Sequence, residues 1–213
     1  MGDLIHTVAH ETYPGHHLEG ALKEARLVDG QGWTELTLMT INTPECLVRE
    51  GLADLGYGFA VPAADELATI EQAIEVAGLE LAADRLARRA VAERQVAIGR
   101  ARRILRGIGG NAALLRHADG RSHEEVVDYL VTVGHASRER AEQRLRFIEH
   151  PLWRAYSFVY REGEVLLGRW LDAGPPNART ARFGRLLSEA LAPSTILAEL
   201  AGPVAGAEAA PRS

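Results

Sequence analysis

The sequence predicts an all-α fold arranged as a single helical domain. Alanine, leucine, glutamate and arginine dominate, and all four are strong helix formers. Aliphatic residues recur three and four apart along most of the chain. The 213 residues suffice for one sizeable core, and roughly eight to ten helices of ordinary length fit into them.

Leu4, Ile5 and Val8 set a helical spacing ahead of "HTVAHETYPGHHLEG" (6–20). Pro14-Gly15 interrupts it, and Leu18, Leu22 and Leu27 resume the period until "DGQG" stops it. Residues 33–41, "WTELTLMTI", carry strand-favouring threonines but have no partner strand nearby, so a helix is expected. Thr43 as cap, Pro44 at the first helical position and Glu45 near the positive dipole end predict a helix that ends near Pro62. Residues 63–109 read as one or two long helices, with Gly78 as a kink or turn. "GIGGN" (107–111) reads as a break and Asp119-Gly120 as a turn. Ser122 with Glu125 three residues on forms a capping-box pattern opening a helix to about Val133. Ser137 caps another helix, to about Glu149, and Pro151 starts one closed by Gly174-Pro175-Pro176. A short helix around 178–191 follows. The helical domain is expected over 1–200, with a disordered tail over 201–213.

The net charge of −5 gives no reason to expect nucleic acid as a partner. Arginines cluster between Arg85 and Arg106 but are interleaved with aliphatics, which suggests a solvated helix face. Cys46 is the only cysteine, so no intramolecular disulfide is possible, and a reducing, cytoplasmic setting is expected. No secretory signal is expected from "MGDLIHTVAHE", and no apolar run approaches the roughly 18 residues of a membrane span.

The chemistry concentrates in residues 6–20, which hold four histidines and two glutamates. A hydrolytic zinc needs about three protein ligands, an open position and a general base. The usual helical solution, H-E-x-x-H, begins at His10-Glu11 but meets Pro14 where the second histidine should stand. Pro14 lacks an N–H, and its ring would clash with the carbonyl of His10, so the helix kinks or restarts. His16 and His17 then both lie in the first turn of a new helix, where the dipole disfavours imidazolium and a metal would find neutral imidazole, and the spacing does not decide between them. A third ligand should come from another helix. Glu50, beside the small residues Gly51 and Ala53, is the best candidate and Glu45 its rival. His6 reads as a packing or supporting residue. Arg154 reads as paired with a nearby acid rather than as a substrate contact.

"HETYPGHHLEG" followed by "REGLADLGYG" resembles the bacterial family called domain of unknown function 885, marked by an HExxPGHH segment and a later EGxA segment. That family looks like a relative of the gluzincin metallopeptidases. The resemblance implies a zincin-like helical fold with a kinked HExxPGHH helix and zinc-dependent hydrolysis of peptide or amide bonds. It implies His10, His16 and Glu50 as zinc ligands and Glu11 as general base. "RFIEHPLWRAYSFVYREGEVLL" (146–167) matches more loosely and implies Tyr160 as the oxyanion donor, with Tyr156 and His150 as rivals. Family members carry a long helical region before the motif, whereas nine residues precede His10 here, so the match is to the C-terminal half of the family's usual length. The partners expected are a peptide or small amide substrate, no nucleic acid or membrane, and either a homo-oligomer or a missing N-terminal helical region. The alternatives are a truncated, non-catalytic helical module that binds metal or a partner, and a partner protein using the arginine-rich helix over 85–106.

Overall fold

Helix α1 (Gly2–Glu11) stops three residues short of Pro14, and α2 (His16–Lys23) begins directly after Gly15. The structure, a computed structural model, describes residues 2–79, 83–175 and 177–202. Helix α2 runs into a π-helical turn, Glu24–Asp29, and a 3₁₀ turn, Thr34–Thr37, leads into an irregular stretch before α3 (Pro44–Ala60). There follow α4 (Glu66–Val76), α5 (Arg85–Ile104), α6 (Ile108–His117), α7 (His123–Thr132) and α8 (Arg138–Glu149). The last three are α9 (Val159–Asp172), α10 (Ala178–Ser188) and α11 (Pro193–Ala201). The described residues form one all-helical domain and contain no strand.

Local signals account for many of these boundaries. Pro44 occupies the first turn of α3 as expected, although the Thr43 hydroxyl turns back to the Thr40 carbonyl at 3.2 Å instead of capping the helix. The Ser122–Glu125 capping box is complete, and Ser137 accepts from the Arg140 N–H. Gly78 has a positive φ of 63° and closes α4, so it is a turn rather than a kink. Three expectations need correction. Residues 33–41 hold only the 3₁₀ turn and are otherwise irregular. Gly109, Gly110 and Asn111 lie inside α6, and the break falls earlier, at the 3₁₀ turn Leu105–Gly107. The segment after Pro151 is a set of turns, with α9 starting only at Val159. The tail from 203 onward lies outside the described residues.

Three apolar clusters hold the helices together. The first joins Val48 and Leu52 of α3 to Leu167, Trp170 and Leu171 of α9 and to Phe183, Leu186 and Ile196 of the last two helices. The second joins α6, α7 and α8 through residues such as Ala112, Leu130, Leu145 and Ile148. The third is smaller: Ile70 and Ile74 of α4 against Ala92 of α5. Each fully buried leucine or isoleucine here contributes about 1.5–3 kcal/mol.

The contact that matters most for the site is the crossing of α3 and α9. Gly51 and Gly163 meet there with no side chain between them. A Cβ on Gly51 would lie 2.5 Å from the Gly163 carbonyl carbon, and one on Gly163 would lie 2.2 Å from the Leu47 oxygen. The backbones therefore approach as only glycine allows, and the turns leading into α9 are brought over the neighbouring Glu50. Within α5, Arg89 pairs with Glu71 and Glu93 and Arg102 with Asp3, while Arg106, in the turn that follows, pairs with Glu164. Among the described residues no helix is long and apolar enough to cross a membrane.

Candidate metal centre

The chain doubles back between α1 and α2, and Gly15 makes this possible. Its N–H donates to the Ala9 carbonyl at 3.0 Å, satisfying one of the free carbonyls at the end of α1. A Cβ at Gly15 would sit 1.8 Å from the His10 oxygen, so no other residue fits without moving the backbone. Leu18 N–H reaches the Thr12 carbonyl at 3.2 Å and stitches the start of α2 to the end of α1. The result places His10, in the last turn of α1, beside His16, the first residue of α2. Their rings meet edge to face with centroids 4.8 Å apart.

Glu50 completes the group from α3. Its Oε2 lies 3.4 Å from His10 Nε2 and 3.7 Å from His16 Nε2. One donor atom from each of the three residues falls within 4.8 Å of the others. Zinc bonds of about 2.0–2.2 Å in a tetrahedron separate neighbouring donors by roughly 3.3–3.6 Å, close to the two spacings observed. Two imidazoles with one carboxylate are also a donor set that zinc accepts while keeping a position open. The group therefore fits a divalent ion.

The surrounding charges are consistent with that demand. His10 Nδ1 lies 3.1 Å from Asp54 Oδ1, which fixes the ring with Nε2 facing Glu50. Burial is the largest influence on His10 and acts downward, but Asp54 and Glu50 outweigh it and raise the imidazole to about 9. Glu19 and then Glu50 raise His16 to about 9, against burial. The helix dipole, expected to keep this imidazole neutral, is thus overridden by two carboxylates. Burial pushes Glu50 upward, yet His10, His16 and the Tyr156 hydroxyl hold it well below the usual carboxylate range. The cluster is short of positive charge, which two protons or one divalent cation can supply, and an ion must displace those protons to bind.

Behind His16 stands Glu19, 1% exposed. It accepts from Lys23 Nζ at 2.7 Å and from Arg49 Nε at 3.0 Å. Burial works against its charge, but His16, Lys23 and Arg49 bring it down to about 2. Its Oε2 lies 3.9 Å from His16 Nδ1, too far for a hydrogen bond, and that nitrogen is buried without a hydrogen-bond partner.

The remaining candidates are placed as follows. Glu11 ends α1, is exposed, and lines a cleft of about 420 Å³ together with His10, His16, Glu50, Tyr156 and Tyr160. Tyr160 is 41% exposed, with its ring against Tyr156 at 5.6 Å, and burial followed by the Glu50 charge pushes its hydroxyl up to about 12. Tyr156 is the tyrosine that touches the cluster, its hydroxyl donating to Glu50 Oε1 at 2.6 Å. His17 is exposed and rests on Tyr13, centroids 5.2 Å apart. Glu45 lines the cleft but lies outside the cluster, with Lys23 Nζ at 3.8 Å. His6 packs on Tyr57 and meets Arg106 at 3.4 Å. His150 accepts locally from the Leu152 N–H. Arg154 is exposed and has no acidic partner among the described residues, which corrects the expected pairing.

Sequence reasoning missed Asp54, Glu19 and Arg49. Asp54 follows Glu50 by four and Glu19 follows His16 by three, the spacings that put side chains on one helix face, so both were within reach. Comparison with family models, with curated proteins and with solved structures gave no match to this chain.

Proposed function

We propose that this chain is a zinc-dependent hydrolase of peptide or amide bonds. In this reading the helical domain is zincin-like and related to the domain of unknown function 885 proteins, and the α1–α2 break is the kink of the HExxPGHH helix. The observation that carries the reading is the convergence of His10, His16 and Glu50, from three helices, on the wall of a cleft that Glu11 also lines. Its natural occupant is a peptide or small amide. The single cysteine, buried and free, is in keeping with a cytoplasmic setting.

His10, His16 and Glu50 would hold the ion, with Asp54 orienting His10. When bound, zinc supplies a Lewis acid that polarises a substrate carbonyl and acidifies water at the site. Glu11 takes the proton that water gives up as it adds to the carbonyl carbon, and returns it to the departing amine. The Tyr160 hydroxyl, held protonated, donates a hydrogen bond to the oxygen that gains charge. Tyr156 is engaged by Glu50 and serves to hold that carboxylate in place.

The test is turnover of short peptide amides by the zinc-loaded chain, compared with Glu11→Gln. Loss of general-base catalysis should lower the rate about 100-fold or more while zinc content stays the same. Equal rates in the two proteins refute the mechanism. Stoichiometric zinc with no turnover in either would leave a non-catalytic metal-binding module.

A further inference from the structure

Arg49 precedes the ligand Glu50 in α3 and is the one lysine or arginine lining the cleft among the described residues. Its guanidinium is only partly satisfied. Nε donates to the buried Glu19 at 3.0 Å, but that carboxylate already holds Lys23 at 2.7 Å. Lys23 Nζ also lies 3.8 Å from Glu45, so these four groups balance in charge, and what Arg49 offers the cleft is the N–H fork left over from its single contact with Glu19. Beyond that, Nη1 abuts the Met39 sulfur. A thioether is a weak acceptor, so this end of the fork is held without being saturated. Met39 is 72% exposed and lies with Ile41 on the irregular stretch that forms the cleft rim. That stretch is tied down by Asn42 to the Leu152 carbonyl and by Cys46 Sγ to the Thr40 carbonyl.

The fork is also close to the metal cluster. Glu19 Oε2, which receives Arg49 Nε, is the same atom that lies 3.9 Å from His16 Nδ1. Glu50 is engaged by the histidines and Tyr156, while Thr40, Thr43 and Cys46 offer no charge. Glu11 and Glu45 repel an anion from the rest of the lining.

We propose that Arg49 recognises a carboxylate on the substrate, so that the cleft selects short peptides or acylated amino acids presenting an anion beside the scissile bond. This rests on the hydrolase reading above. Arginine presents paired N–H groups in a planar fork that matches a carboxylate, and a lysine at this position would not reproduce the match. The apolar rim of Met39 and Ile41 stands next to the fork and accommodates an aliphatic side chain. The carboxylate has two possible sources, a free C-terminus or an acidic side chain.

The experiment is calorimetric binding of three acetylated dipeptides to the full chain, with and without zinc: one ending in leucine as the free acid, its C-terminal amide, and an amide carrying a glutamate. The free acid should bind at least about tenfold tighter than its amide. The gap should vanish in Arg49→Gln and shrink in Arg49→Lys, with zinc content unchanged in both. Tight binding of the glutamate amide, lost in Arg49→Gln, also supports the proposal and assigns the anion to a side chain. Equal affinity of all three dipeptides in the unaltered chain overturns it without any variant having to fold. A chain that takes no zinc fails the hydrolase reading, yet the zinc-free comparison still decides the role of Arg49. Binding of none of the three overturns the proposal together with the peptide reading of the cleft.

Discussion

Asp54 shows how much a single side chain outside the cluster can control. Its carboxylate fixes the His10 ring at 3.1 Å, so Asp54→Ala frees the ring to rotate and leaves its Nδ1 unpaired. Such supporting partners typically set 10–100-fold in metal affinity. Competition against a chromophoric chelator should show a loss of about that size with helix content unchanged. A second residue gives a pH test away from the site. His123 bridges Glu142 at 2.9 Å and Glu149 at 3.2 Å, tying the start of α7 to α8. The Glu142 hydrogen bond, then Glu149, raises its imidazole despite slight burial. A raised folded value means the stabilisation is complete below the ordinary imidazole range of about 6.5 and fades as pH rises through the folded value. Melting of His123→Gln should therefore fall below that of the unaltered chain at about pH 5.5 and match it at about pH 9. A constant difference across that range would show that the bridge does not depend on the proton.

Between elements, the α3–α9 crossing decides whether the tyrosines reach Glu50. With Gly163 backbone 2.5 Å from where a Gly51 Cβ would stand, Gly51→Val forces the helices apart. Overpacking of this kind costs about 1–3 kcal/mol, and it should also weaken the metal site by withdrawing Tyr156 from Glu50. A lowered melting temperature together with lowered zinc affinity is expected from thermal and metal titrations of the variant. Unchanged zinc affinity would separate the crossing from the site. The sequence anticipated part of this: small residues beside Glu50 pointed to a close helix, although nothing local named Gly163 as the partner, 112 positions away. Helix starts set by local chemistry, at Pro44, Ser122 and Ser137, were legible for the same reason that α9's start was not. Caps act within a few residues, whereas Val159 begins its helix only after turns folded against other elements. Gly109 and Gly110 misled because helix α6 is held by Ile108, Ala112 and Ala113 packing on α7 and α8, and tertiary burial overrides a weak local preference.

At the scale of the molecule, eleven helices among the described residues bring together candidate donors separated by forty positions in sequence. The small residues beside Glu50 made it the preferred candidate over Glu45, and the Pro-Gly break left His16 and His17 both open. Geometry distinguishes them, since His16 faces Glu50 while His17 lies out on Tyr13. The contact of Arg49 with the buried Glu19 was not legible, because pairing the two helices through Glu50 does not say which of their other side chains meet. The whole account rests on those three donors taking one ion. The direct measurement is metal content and zinc titration of the purified chain beside His10→Ala and Glu50→Gln. The account predicts one zinc per chain, with binding weakened by orders of magnitude in both variants. Zinc absent from the unaltered chain, or bound equally well by the variants, would contradict it.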